Sequence, residues 1–132
     1  MSVRYMLDTD TVSFALRGEG DVGRRILLHQ LSDLCVSAIT LAELLYGAIR
    51  ARSARIERSI FDFVRRIDVM PFDDACAVRY AHIASDLSAR GERIGELDTM
   101  IAAHALSLNL TLVTNNVRHF TRVQDLRVEN WL

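Results

Sequence analysis

Val3-Arg4-Tyr5-Met6-Leu7-Asp8-Thr9-Asp10 is a short apolar segment followed at once by acidic residues. It predicts a strand over Val3–Leu7, with Asp8 at its carboxyl end. Asp10 is placed to cap a helix over Thr11–Arg17, which Gly18 would end. Because a carboxylate directly after an apolar strand is rarely explained by packing, Asp8 is a candidate functional residue.

Helical and extended patterns alternate along the rest of the chain, without a visible repeat or linker. Further helices are predicted over Asp21–Leu31, Ile39–Arg50, Ser53–Arg66, Asp73 or Asp74 to about Arg90, and Asp98–Leu108, with a helical turn at Val117–Phe120. Further strands are predicted over Leu34–Ser37, Ile67–Met70, Thr111–Thr114 and Arg127–Glu129. The pattern predicts one α/β domain over residues 1–132, with a central, mainly parallel β-sheet flanked by helices. The third and fourth helices are expected to form a protruding hairpin.

Composition narrows the class of protein. Half of the 132 residues are hydrophobic, with one Pro and six Gly, which excludes a disordered chain. No apolar run approaches the roughly 20 residues of a membrane span, and the N-terminus lacks the pattern of a signal peptide. Cys35 and Cys76 fit reduced core thiols of a cytoplasmic protein. The four histidines lack zinc-ligand spacing; His104 is expected in the core and His119 on the surface.

Parallel sheets bind ligands beyond the carboxyl ends of their strands, and four polar residues fall at such places. Asp8 and Asn116 follow predicted strands, Glu43 lies in the helix after the second strand, and Asp98 opens a later helix. Taken singly, Asp98 fits a helix cap and Asn116 fits a turn. Glu43 fits a solvated position, although its neighbours are unusually apolar for a free surface. That setting also fits the wall of a cleft.

The four residues are more informative together. Three ionised carboxylates a few Å apart repel one another by up to about 4 kcal/mol per pair at the dielectric of a protein surface. A hard divalent cation removes this penalty, and Mg²⁺ prefers carboxylate oxygens completed by water and substrate phosphate. The implied chemistry is metal-assisted phosphoryl transfer.

Four blocks in this order resemble the PIN domain, and more narrowly the VapC toxins of bacterial type II toxin–antitoxin modules. They are Tyr-Met-Leu-Asp-Thr-Asp from Tyr5, Ser-Ala-Ile-Thr-Leu-Ala-Glu-Leu-Leu-Tyr-Gly from Ser37, Asp-Thr-Met-Ile-Ala-Ala-His-Ala from Asp98, and Val-Thr-Asn-Asn-Val-Arg-His-Phe from Val113. The resemblance spans residues 3 to about 131. It implies a homodimeric endoribonuclease that cleaves RNA with water activated on carboxylate-bound Mg²⁺ or Mn²⁺, restrained by a VapB-type antitoxin. Some members cut tRNA, initiator tRNA included, which makes tRNA the first candidate substrate.

The resemblance also assigns roles. Catalytic and metal-binding roles fall on four residues, Asp8, Glu43, Asp98 and Asn116. Asn116 matches a position that is often Asp and carries no charge, which leaves full occupancy of a second metal site open. Asp10 stands where many relatives have Asn. Thr9 and Thr114 match hydroxyl positions that support the acids.

An arginine-rich segment accompanies this acidic set. Residues 50–66 carry six arginines against two acids, a net charge of +4, while the rest of the chain carries −5. An anionic RNA approaching an acidic cleft needs positive charge nearby, although a solvated helix face explains the charge equally well. The candidate contacts for RNA or an antitoxin are Arg50, Arg58, Phe61 and Arg65. The apolar stripes of the hairpin are predicted to include Ile49 and Ile56.

Two other interpretations stay open. Asp8-Thr9-Asp10-Thr11-Val12 matches the first motif of phosphatases of the haloacid dehalogenase type, with Asp8 as nucleophile and Asp10 as general acid. That mechanism usually needs a Lys, and all sixteen basic residues of this chain are Arg. A non-catalytic RNA- or protein-binding module is favoured by Asn116 and opposed by the three acids.

Overall fold

A five-stranded sheet with the order β3–β2–β1–β4–β5 forms the centre of the computed structural model, which describes residues 3–132. The strands are β1 Tyr5–Leu7, β2 Leu34–Ser37, β3 Asp68–Met70, β4 Thr111–Val113 and β5 Val128–Glu129. All neighbouring strands pair in parallel, which confirms the predicted sheet. Because β1 is central, its carboxyl end lies between those of β2 and β4.

The helices agree with the predicted alternation and differ in their bounds. They are α1 Thr9–Arg17, α2 Val22–Leu27, α3 Ala38–Arg50, α4 Ala54–Val64, α5 Asp74–Ala89, α6 Glu96–Ser107 and α7 Val117–Phe120. The single helix predicted over Asp21–Leu31 is instead α2 followed by a 3₁₀ turn at Leu31–Asp33. Within residues 3–132, the helices are all too short or too polar to cross a membrane.

Two apolar cores lie on the two faces of the sheet. Leu7 packs with α1–α4 on one face, while the adjacent Met6 packs with α5 and α6 on the other, because successive strand residues point to opposite sides. Leu44, Ala48 and Ile60 anchor the predicted hairpin of α3 and α4 in the first core.

The prediction that Ile49 and Ile56 belong to the apolar stripes of this hairpin was wrong. Ile49 is 62% exposed and Ile56 39% exposed. Ile49 lies about 100° around α3 from the buried Ala48, beyond the strip that the sheet covers. Ile56 lies only about 40° around α4 from the buried Ile60, but it is one turn nearer the start of the helix, where it lines the open space between α1, α3 and α4.

Two helices begin earlier than predicted. Asp8, rather than Asp10, is the N-cap of α1, because the chain passes from β1 into the helix without a spacer and the Asp8 carboxylate accepts the Thr9 N–H at 2.8 Å. Similarly, α6 begins at Glu96, so Asp98 lies within its first turn instead of opening it. Both acids therefore sit where helix N–H groups favour negative charge.

Candidate active site

Asp8 is buried at the carboxyl end of β1, with only 4% of its surface exposed. One carboxylate oxygen accepts the Thr9 N–H at 2.8 Å, and the other accepts the Thr114 hydroxyl at 2.7 Å. Burial, followed by the charge of Asp10, raises the pKa of Asp8 from 3.8 to about 7, against the lowering effect of the bonds from Thr114 and Thr9. Asp8 is therefore a buried carboxyl group whose ionisation is not compensated within the protein.

Asp98, Asn116 and His119 meet beside Asp8. His119 Nδ1 lies 3.4 Å from Asp98 Oδ2 and 2.9 Å from Asn116 Nδ2. Burial raises the pKa of Asp98, and His119 opposes that shift. The charge of Asp98 in turn contributes to the raised pKa of Asp8, which shows that the two carboxylates lie within electrostatic reach.

His119 is more than the surface residue expected from the sequence. Its side chain is 39% exposed, yet its ring contacts two of the four candidate residues. The sequence did indicate that His119 could reach the site, because residues three apart in a helical turn lie on the same side and His119 is three residues after Asn116.

Glu43 lies to one side of this group. Its carboxylate accepts the Thr9 hydroxyl at 2.6 Å, and the same hydroxyl lies 3.3 Å from Thr40 Oγ1. In the part of the chain that the structure describes, no three His, Cys, Asp or Glu side chains are close enough to share one ion. Asp8 and Asp98 act on each other electrostatically, Thr114 links Asp8 to Asn116, and His119 links Asn116 to Asp98. We call Asp8, Asp98 and Asn116 the close set; Thr9 holds Glu43 to one side of it.

Asp10 connects α1 to the loop after β4. Its carboxylate accepts the Asn115 N–H at 3.2 Å and lies 3.4 Å from Thr114 Oγ1. Asp10 thus adds negative charge beside Asp8 and fixes the backbone that leads to Asn116.

The donor chemistry of the close set fits a hard divalent cation. Asp8, Asp98 and Asn116 offer oxygen ligands, and within residues 3–132 no arginine forms an ion pair with any of the candidate acids. The raised pKa of Asp8 expresses the cost of placing negative charge here without a cation, and a bound divalent ion offsets that cost.

A groove of about 710 Å³ leads away from Glu43 between α1, α3 and α4. Arg55 and Ser59 line it from α4. At about 100° per residue, the predicted contacts Arg58, Phe61 and Arg65 lie on the opposite face of α4. Arg65 is paired with Asp62 at 2.9 Å, Phe61 is 40% exposed, and Arg50 is exposed at the end of α3.

The remaining buried polar groups agree with the sequence expectations. His104 is fully buried, with its Nδ1 2.8 Å from the Ser37 hydroxyl. Cys35 and Cys76 are buried free thiols, and burial raises the pKa of Cys35 to about 12. These groups serve packing.

Comparison with known proteins identifies the family. The PIN-domain family model matches residues 5–126. The chain is 39% identical over 131 residues to the tRNA(fMet)-specific endonuclease VapC of Shigella flexneri, covering 98% of both chains. It is 40% identical to ribonuclease VapC2 of Haemophilus influenzae (strain Rd), covering 98% of this chain and 99% of that protein.

Solved structures agree with this similarity. The chain matches DNA-bound VapBC from Salmonella typhimurium with a TM-score of 0.88, 36% identity and coverage of 98% and 99% of the two chains. It matches VapBC2 from Rickettsia felis, bound to a promoter DNA fragment, with a TM-score of 0.85, 33% identity and coverage of 98% and 100%. The chain belongs to the PIN-domain family and, within it, to the VapC proteins.

Proposed function

We propose that this protein is a divalent-metal-dependent endoribonuclease and the toxin of a VapBC-type toxin–antitoxin module. The observation that carries the proposal is the convergence of Asp8, Asp98 and Asn116 at the carboxyl edge of a parallel sheet, with Glu43 held beside them. Full-length similarity to proteins named as VapC ribonucleases supports it.

Each candidate residue has a distinct proposed task. Asp8 and Asp98 hold Mg²⁺ or Mn²⁺, and Asn116 is a weaker, neutral ligand. When bound, the ion supplies positive charge to the scissile phosphate and lowers the pKa of water. Glu43, oriented by Thr9, is placed to accept a proton at the edge of the site. Thr9 and Thr114 keep the carboxylates in position.

Initiator tRNA is the proposed substrate. VapC proteins of Shigella flexneri and Salmonella typhimurium, 39% and 35% identical to this chain, are named tRNA(fMet)-specific endonucleases.

A cognate VapB-type antitoxin is the proposed partner. The groove between α1, α3 and α4 reaches Thr9 and Glu43, so a segment bound along it would cover one side of the site. Apolar Leu16, Leu44 and Ile60 line the groove together with two arginines and two acids, Arg17, Arg55, Glu19 and Glu43. Arg17 is paired with Glu19 at 3.0 Å, which leaves Arg55 as the groove arginine available to an acidic residue of a partner. That mixture suits an amphipathic helix with acidic residues beside its apolar face.

A homodimer acting in the cytoplasm completes the proposal. Tyr46 and Ile49 are 66% and 62% exposed on α3, more apolar surface than this helix needs as a monomer. Arg58, Phe61 and Arg65, which face away from the groove, and Arg50, exposed at the end of α3, remain the proposed additional contacts for RNA or the antitoxin.

The test is cleavage of purified tRNA(fMet) and of total RNA by the full chain, with Mg²⁺, with Mn²⁺ and with EDTA. Asp8→Asn should abolish cleavage, while Asp21→Asn, an exposed acid paired with Arg24 on α2, should not. Hydrolysis of a small phosphomonoester without RNA cleavage would favour the phosphatase. RNA binding without cleavage would favour the non-catalytic module.

A further inference from the structure

A second cavity, of about 350 Å³, lies between α5 and the first turn of α6. Its volume is near the lower end of the range of small-molecule pockets, about 300–1,000 Å³. Its polar walls come from Tyr80, Ser88, Arg93, Gly95, Glu96 and Thr99. We propose that this cavity takes one unpaired nucleotide of the RNA substrate, with the base against Tyr80 and the phosphate on Arg93. The inference rests on the proposed ribonuclease function and extends it to a subsite.

Position is the first argument. Thr99 lines the cavity and directly follows Asp98 in the first turn of α6, so the two side chains leave this turn about 100° apart and the two sites lie on adjacent faces of the helix. The Thr99 hydroxyl donates to the Gly95 carbonyl at 2.6 Å, which fixes the first turn of α6 between the two sites. A nucleotide next to a phosphate held at Asp98 therefore has a recess within reach.

Charge is the second argument. The Arg93 side chain is exposed and donates to the Ser88 hydroxyl at 2.9 Å, and within residues 3–132 it has no carboxylate partner. Arg122 donates to the Arg93 carbonyl at 3.1 Å, and Arg90 donates to the Arg122 carbonyl at 2.7 Å. Two further guanidinium groups thus hold the loop that presents Arg93, whose own planar donors suit a phosphate.

The chemistry of the walls points to a nucleotide rather than a free anion. Glu96 would repel inorganic phosphate, but its carboxylate can accept a hydrogen bond from a base amino group or a ribose hydroxyl. Tyr80 offers an aromatic ring, and unpaired RNA bases are recognised by stacking on such rings.

Gly95 keeps this recess open. It has φ +97°, and a Cβ built there would meet nothing within 4 Å, so the position faces open space. An L side chain is disfavoured at this φ, and the bare backbone leaves the entrance free for a ligand.

The test measures binding of fluorescein-labelled single-stranded RNA to the full chain, in an Asp8→Asn background that does not consume the RNA. Tyr80→Ala should weaken binding by about 5- to 160-fold, the effect of losing one stacked base. Tyr80→Phe should retain the affinity, and so should Arg79→Ala, an exposed arginine on α5 outside the cavity. The logarithm of the binding constant falls linearly with the logarithm of the salt concentration, and Arg93→Gln should make this slope shallower by about 0.7, as expected for one lost single-strand phosphate contact.

An RNA series with one abasic residue, moved step by step along the strand, makes the test specific. The penalty of Tyr80→Ala should vanish at one abasic position and persist at the others. Equal penalties at all positions, or unaltered binding by both Tyr80→Ala and Arg93→Gln, would overturn the proposal. Cleavage by the unsubstituted protein is scored separately. If the unsubstituted protein cleaves RNA but binding does not depend on Tyr80, the subsite is refuted and the nuclease is not. If binding depends on Tyr80 but the unsubstituted protein does not cleave RNA, the nuclease is refuted and the subsite is not.

Discussion

The Thr114 hydroxyl donates a 2.7 Å hydrogen bond to Asp8 Oδ2 and so joins the carboxyl ends of β4 and β1. The same hydroxyl oxygen accepts the Asn116 N–H at 3.0 Å. Thr114 is fully buried, which removes water as a competing partner. One side chain therefore aligns Asp8 with Asn116, two candidate metal ligands from distant parts of the chain.

Replacing Thr114 with the isosteric Val should raise the pKa of Asp8 further, because the hydrogen bond from Thr114 lowers it. A hydrogen bond to a charged group contributes about 1.5–3 kcal/mol, so the acidic limb of the pH–rate profile should move upward by about one to two pH units. The measurement is the pH dependence of RNA cleavage, with Thr114→Ser as the matched control that keeps the hydroxyl. An unmoved limb in folded Thr114→Val would contradict the role assigned to this bond.

Asp8→Asn should stabilise the metal-free protein at neutral pH. The unfolded carboxyl group ionises near pH 3.8 and the folded one near 7, so the free energy of unfolding falls as pH rises between these values. At 1.36 kcal/mol per unit the penalty reaches at most about 4 kcal/mol, and Asn does not incur it. Denaturant titrations in EDTA should therefore separate the two proteins by about 1–4 kcal/mol above pH 7 and bring them together below the ordinary Asp pKa. If the unsubstituted protein and Asp8→Asn are equally stable at pH 8, Asp8 ionises in the folded protein without an energetic cost.

Mg²⁺ or Mn²⁺ should raise the melting temperature, and more strongly above pH 7 than at pH 5, since protons compete for Asp8. At 100 times the dissociation constant, one bound ion contributes about 2.7 kcal/mol. Thermal unfolding with and without the ions, at matched ionic strength, measures this. The Asp8→Asn variant should lose most of this rise in melting temperature, and the Asp21→Asn variant should keep all of it. Equal stabilisation of both variants would place the bound ion away from Asp8.

The sequence predicted the features that depend on local pattern. An apolar run followed by Asp8 predicts a buried strand with a carboxylate at its carboxyl end, and this prediction needs no information from the rest of the chain. The topology of parallel strands then brings Asp8 and Asn116 together, since β1 and β4 are neighbours and both end at that edge. Asp10, which the phosphatase alternative made a general acid, accepts the Asn115 N–H, and membership in the PIN-domain family argues against that alternative.

Contacts between distant residues escaped prediction. Thr9 holds Glu43 across 34 positions, and His119 meets Asp98 across 21, so neither contact leaves a periodic signal. The prediction of the N-cap of α1 was wrong for a related reason. Asp8 and Asp10 are both competent caps, and the choice depends on how closely α1 follows β1 within the sheet.

Gly95→Ala should destabilise the protein by about 1–3 kcal/mol, because its φ of +97° is strained for any residue with a Cβ even though the space around it is open. The strain falls at the N-cap of α6, and Asp98 is the third residue of this helix, so RNA cleavage should decline as well. Gly23→Ala is the matched control. Gly23 also has open space around it, lies within α2 and lacks a positive φ, so Ala should stabilise the helix by about 0.5–1 kcal/mol. Denaturant unfolding of both variants measures the change in the free energy of unfolding, which should be negative for Gly95→Ala and positive for Gly23→Ala. If the two variants are equally stable, the backbone before α6 accommodates a Cβ without strain.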